Sequence, residues 1–194
     1  MLLENLGKYK IILASNSPRR KELLGGLGLD FTVRTLQGID ESYPETLKGE
    51  EIPMFISGQK AKAYKESMAD DELIITADTI VYVDGEVLGK PTDKDDARRM
   101  FHLMSGRKHE VITGVSIVSK EKTVQFATTT QVSFAELSDD EIDYYIDRYR
   151  PYDKAGAYGI QEWIGYIGIT GIEGSHFNVV GLPVQRLYTE LKKY

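Results

Sequence analysis

A carboxylate stands in the middle of an apolar, β-branched run: Asp78 in LIITADTIVYV, residues 73–83. Charge in such a strand must be paired, bound to metal or protonated to offset its lost hydration. A strand with Ala77-Asp78-Thr79 at its midpoint can bulge or end at an opening. Asp78 would then serve as general base or metal ligand beside the Thr79 hydroxyl; the other reading is a structural aspartate capping a neighbouring loop. Three further residues could join it. Lys60 falls four residues after Ile56, on the apolar stripe of an expected helix, where a lysine either finds an acidic partner or snorkels its stem over apolar surface. Lys90 sits in a GKP turn, and its pairing with Asp78 across one hairpin makes it a candidate phosphate contact; taken alone it reads as a solvated charge. Glu41 lies in a polar loop, a second candidate carboxylate or an ordinary solvated one.

The segment ASNSPRRKELL, residues 14–24, adds cations where a helix least wants them. Ser17 is a good N-cap and Pro18 a preferred first-turn residue, so a helix begins there. Arg19 and Arg20 fall in its first turn. Unpaired N–H groups and the macrodipole already make that end positive, so each arginine costs about 0.3–1 kcal/mol unless an anion arrives. Strand, polar loop, helix N-terminus and arginine fork together make a phosphate receptor; the plainer reading is two solvated arginines. The glycine-rich G-x-x-x-x-G-K-[ST] pattern is absent, so this is not a P-loop. Further on, DKAGAYGIQ combines two glycines, an aromatic ring and Gln161. That combination would let a base approach the backbone while the amide bonds its edge, or it is a tight structural loop.

The elements that must position these residues follow from pattern. Lys10 to Leu13 and Phe31 to Leu36 read as strands, with a polar loop from Gln37 to Glu51 and a helix from Pro53 to about Ser67. Asp84-Gly85 predicts a type I′ turn after the Asp78 strand. A helix capped by Thr92 or Asp93 runs to Met104. Two long strands follow, Val111 to Val118 and Thr123 to Phe134, and Ser138 with Glu141 forms a capping box for a helix to about Tyr149. Two more short strands and a helix from Pro183 to Leu191 complete the chain. Strands and helices alternate before hairpins intervene, so the expected fold is α/β: a mixed central sheet flanked by helices, in one domain over residues 1–194 with two lobes around an active-site cleft.

Composition narrows the function. The 194 residues carry a net charge of −6, which disfavours a broad nucleic-acid surface. With no cysteine there is no disulfide framework, thiolate zinc site or cysteine nucleophile, and a cytoplasmic setting is the default. His102, His109 and His176 are dispersed without metal-ligand spacing and read as structural or exposed. No G-x-S-x-G elbow emerges. The N-terminus does not read as a secretory signal, and no apolar run reaches the roughly 20 residues of a membrane helix.

The chain resembles the Maf family of nucleoside triphosphate pyrophosphatases along essentially its whole length. The resemblance rests on ASNSPRR, Asp40-Glu41, QKAKA around Lys60, ADTIV around Asp78, GEVLGKP, SGRKHEVITGV, DKAGAYGIQ and NVVGLP. It implies the fold of Maf and inosine triphosphatase-like proteins, and hydrolysis between the α and β phosphates to a monophosphate and pyrophosphate with a divalent cation, Mg²⁺ or Mn²⁺. It further implies that Ser15, Arg20, Lys60 and Lys90 bind phosphate, that Glu41 is acidic active-site machinery sharing the metal with Asp78, and that Asp78 is the proton acceptor. Arg19, Thr79 and Gln161 match the positions that differ between subfamilies, all three as in the branch acting on dTTP and UTP. His176 stands where tyrosine is more usual. Two other readings stay open: a nucleotide-sensing regulator of cell division, and a pyrophosphatase for 7-methyl-GTP or another modified nucleotide. The expected partner is the nucleotide, with no nucleic acid and no membrane; a homodimer is an expectation carried by the family alone.

Overall fold

The computed structural model describes residues 3–194. Among them the strands form one mixed sheet of seven: β1 (Lys10–Leu13), β2 (Phe31–Val33), β3 (Glu72–Val83), β4 (Glu86–Leu88), β5 (Lys108–Val118), β6 (Thr123–Phe134) and β7 (Ile169–Glu173), in the order β2-β1-β3-β5-β6-β7 with β4 paired to β3. β1 runs parallel to both β2 and β3, whereas β3 with β4 and β6 with β7 are antiparallel. Seven α-helices accompany it: α1 (Pro18–Gly25), α2 (Glu51–Lys65), α3 (Lys94–Met104), α4 (Asp139–Tyr149), α5 (Trp163–Gly168), α6 (His176–Val180) and α7 (Val184–Leu191). None is long and apolar enough to cross a membrane.

Packing divides the chain into two compact units. The first comprises residues to Asp78, Thr113–Thr128 and Gly181–Tyr194; the second comprises Thr79–Ile112 and Thr129–Val180. In the first, β1 and β3 are apolar on both faces, as parallel interior strands must be. Alternate residues Leu73, Ile75 and Ala77 join Leu13, Leu24, Leu187 and Leu191, while Ile74 joins Ile12, Ala61, Tyr64 and Met68. The period of two therefore sends the even-numbered residues of β3 towards α2. In the second unit Phe101, Met104, Tyr145, Ile146 and Ile164 pack around Val81, Leu88 and Val132.

The local signals act much as their chemistry requires. Ser17 caps α1, Asp93 caps α3 through the Asp96 N–H, and Ser138 with Glu141 forms the complete capping box of α4. Asp84 and Gly85 turn with φ of 49° and 85°, as a type I′ turn needs. Three expectations are corrected. β2 ends at Val33 rather than Leu36, because Tyr64 takes over the backbone beyond it: its hydroxyl donates to the Arg34 carbonyl and accepts from the Leu36 N–H. α2 starts at Glu51, which leaves Pro53 in the first turn, where its missing donor costs nothing. The tail holds one strand, β7, where two were expected; Trp163–Gly168 and His176–Val180 are helical instead.

Candidate active site

Thr76 and Asp78 stand two apart on the face of β3 that looks towards α2, and Ser57 and Lys60 stand three apart on α2. The two spacings match, because each places its pair on a single face. Thr76 Oγ1 donates to the Ser57 carbonyl at 2.7 Å, and the Ser57 hydroxyl in turn bonds that of Ser116 on β5 at 3.1 Å. With that anchor in place, Lys60 Nζ reaches Asp78 Oδ1 at 2.9 Å. Both side chains are only 14% exposed, so the aspartate expected to need a partner has found a lysine that also needed one. Glu41 comes from the polar loop and places Oε1 3.1 Å from the same ammonium, with its own side chain 55% exposed. One cation thus joins two carboxylates from separate parts of the chain.

Arg20 has a different task from the open fork read in the sequence. Its Nε donates to the Gly181 carbonyl at 2.8 Å and its Nη1 to the Ala77 carbonyl at 3.0 Å, tying α1 to the residue before Asp78 and to the turn before α7. Burial pulls the guanidinium below its ordinary value, opposed by the nearby charge of Asp78 and then of Glu41, with Arg19 adding to the decrease. The loop leading into the helix is shaped by two serines: the Ser17 N–H donates to Ser15 Oγ at 3.2 Å, and Ser17 Oγ accepts from the Arg20 N–H. Ser15, Arg19, Arg20, Glu41, Lys60 and Asp78 all belong to the first unit.

Thr79, Lys90 and Gln161 belong to the second. Lys90 is exposed just beyond β4, and Gln161 is exposed at the end of the GAYGIQ loop. The loop is bound to the lysine turn, since the Gly156 N–H donates to the Gly89 carbonyl at 3.0 Å. Gly156 is required there twice over: its φ is +67°, and a Cβ would lie 2.6 Å from Val81 Cγ2. Of the histidines, His102 and His176 are exposed and His109 is buried. Sequence reasoning passed over Ser57, Thr76 and the carbonyls of Ala77 and Gly181. The threonine carried a signal, a second polar residue in the same apolar run, but its partner was not legible.

Residues 10–194 match the family described as Maf-like protein. The chain belongs to the Maf family. It is 66% identical to the dTTP/UTP pyrophosphatase of Phocaeicola vulgatus over 99% of this chain and 100% of that one. The dTTP/UTP pyrophosphatase of Parabacteroides distasonis is 59% identical over the full length of both. Among solved structures, the Ham1 protein of Staphylococcus aureus superposes with a TM-score of 0.51 at 18% identity, covering 93% of this chain and 99% of that one. A HAM1 protein of Coxiella burnetii gives 0.51 at 12%, covering 96% and 100%. At such identities the likeness concerns the fold: this Maf chain shares the mixed α/β architecture of those proteins.

Proposed function

We propose that this Maf chain hydrolyses nucleoside triphosphates, dTTP and UTP by preference, between the α and β phosphates, releasing the monophosphate and pyrophosphate. The observation that supports it most is the Asp78–Lys60–Glu41 cluster, a carboxylate held at the edge of the apolar interior beside a cation. Asp78 accepts the proton of the water that attacks the α phosphorus. The new P–O bond forms as the bond to the β-phosphate oxygen breaks, and its electron pair leaves with pyrophosphate. Lys60, Arg20 and Lys90 offset the charge of the phosphates, Ser15 bonds them, and Arg19, Thr79 and Gln161 select the nucleotide.

The donor set suits a divalent cation such as Mg²⁺ or Mn²⁺. Two carboxylates converge within 3.1 Å of one nitrogen, and Mg²⁺ is commonly held by one or two carboxylates together with substrate phosphates and water. Glu41 and Asp78 would hold it; among the described residues no group of three acidic, histidine or cysteine side chains is placed to do so. The cation supplies charge neutralisation at the phosphoryl oxygens. The test is a nucleotide panel with product separation in the presence of Mg²⁺: pyrophosphate from dTTP and UTP is expected. Orthophosphate release, or binding without turnover, would sink the reading. Asp78→Asn should lower turnover by about 10²-fold or more, the usual range for a positioned acid or base.

A further inference from the structure

Gln161 is exposed, yet the backbone on both sides of it is held by a partly buried chain of polar contacts that plays no part in the phosphate cluster. Tyr145 on α4 is fully buried among apolar side chains, and its hydroxyl donates to Glu162 Oε2 while accepting the Gly159 N–H at 3.0 Å. The other carboxylate oxygen of Glu162 lies 3.2 Å from Nζ of Lys154, whose side chain is 10% exposed and whose ammonium also bonds Asp153 at 2.9 Å. Burial, reinforced by Glu162, raises the Tyr145 phenol far above its ordinary value, so it remains a neutral donor. Gly159 lies over the ion pair: a Cβ there would be 3.1 Å from both Glu162 Cδ and Lys154 Cε. The Glu162 N–H donates to the Gly159 carbonyl at 3.0 Å, closing residues 159–162 into a turn with Gln161 inside it.

A loop that only had to be packed would not require a buried phenol and a buried lysine joined through a half-buried carboxylate with matched donors and acceptors, because such networks are costly unless complete. We propose that Tyr145, Glu162 and Lys154 are positioning residues that fix the Gln161 amide for recognition of a pyrimidine base edge, and are therefore determinants of nucleotide selectivity. This rests on the nucleotide reading above. An amide on a mobile turn would average its donor and acceptor over many directions, whereas a clamped one tells a base presenting a carbonyl from one presenting an amino group.

The decisive measurement is calorimetric binding of non-hydrolysable dTTP and dCTP analogues to the full chain, with turnover followed alongside. Tyr145→Phe, which deletes the phenol oxygen and both of its bonds, should weaken binding of the dTTP analogue by about tenfold and erode its advantage over the dCTP analogue. In turnover the change should fall on KM, with kcat altered less than about twofold. In combination with Gln161→Ala, Tyr145→Phe should add little, since both act through one amide. Glu162→Gln, which removes the charge but keeps the size, should show the same pattern more weakly and serves if the phenylalanine variant folds poorly. Unaltered discrimination in a folded variant, an additive double mutant, or a wild type that does not discriminate would overturn the proposal. Selective binding without pyrophosphate release would refute the hydrolytic reading and leave the brace intact.

Discussion

Arg20 shows how a single side chain changes meaning between sequence and structure. In the first turn of a helix it reads as a cation awaiting an anion, and its charge remains suited to that. Two of its donors, however, go to carbonyls at Ala77 and Gly181, one of them next to Asp78. The planar fork reaches two acceptors in different directions, which a lysine point charge cannot do. Arg20→Lys therefore keeps the charge and loses the geometry. It should destabilise the protein by about 1–3 kcal/mol in chemical denaturation, the cost of leaving buried acceptors unpaired, with a loss of turnover in the same preparation. Lys60 is the opposite case: its stripe position left open an acidic partner or a snorkelling stem, and in the structure it meets Asp78 and Glu41.

The element that brings Lys60 to its partners is α2, and its seat is set by a backbone contact at its first turn. At Gly114 on β5 a Cβ would lie 2.3 Å from the Pro53 carbonyl and 2.4 Å from the Met54 nitrogen, so the strand and the first turn of the helix touch backbone to backbone. Gly114→Ala must push the helix away. It should cost about 1–3 kcal/mol, as overpacking usually does, and should lower turnover more than stability alone explains, because Lys60 moves with α2; denaturation and kinetics on one preparation check both. In the other unit α3 and α4 are laced by Lys94–Asp147, Arg98–Asp143 and His102–Asp139 at 2.7, 2.9 and 2.7 Å. The pairs are spaced one helical turn apart on each element. The outer two pairs are exposed and the Arg98–Asp143 pair half-buried, so they act chiefly as aids to alignment of two helices already joined through Phe101 and Tyr145, the exposed pairs being only minor sources of stability.

At the scale of the whole molecule, acid sensitivity has an identifiable source. His109 is buried, its Nε2 bonded to the Tyr158 hydroxyl at 2.7 Å, with Phe134 and Tyr158 edge-on to its ring, and burial pulls it down to about 4. The unfolded chain binds a proton near 6.5 that the folded one refuses, so stability is complete above that pH and falls as pH drops from 6.5 to about 4. The loss amounts to about 3 kcal/mol. His109→Phe should be less stable at pH 7 through the lost bond to Tyr158, yet show a much flatter profile between pH 6.5 and 4.5 in denaturant titrations. Glu72, held low by Arg34, adds its own loss only below the ordinary range of a free glutamate. The sequence alone determined the elements with strong local codes, the capped helices and the Asp-Gly turn, since their signals lie within a few residues of one another. It also marked Asp78, Lys60 and the arginine pair as residues out of keeping with their surroundings, because burying a charge is costly wherever the chain goes and cations are unfavourable in the first turn of a helix. Tertiary structure decided where β2 stops, through a tyrosine hydroxyl some thirty residues away. It decided that one lysine serves two carboxylates, that Arg20 is anchored to backbone, and that Tyr145 braces the loop of Gln161. Each of these depends on which faces meet across long sequence separations, and the periodicity of a single segment carries no information about the face it will meet.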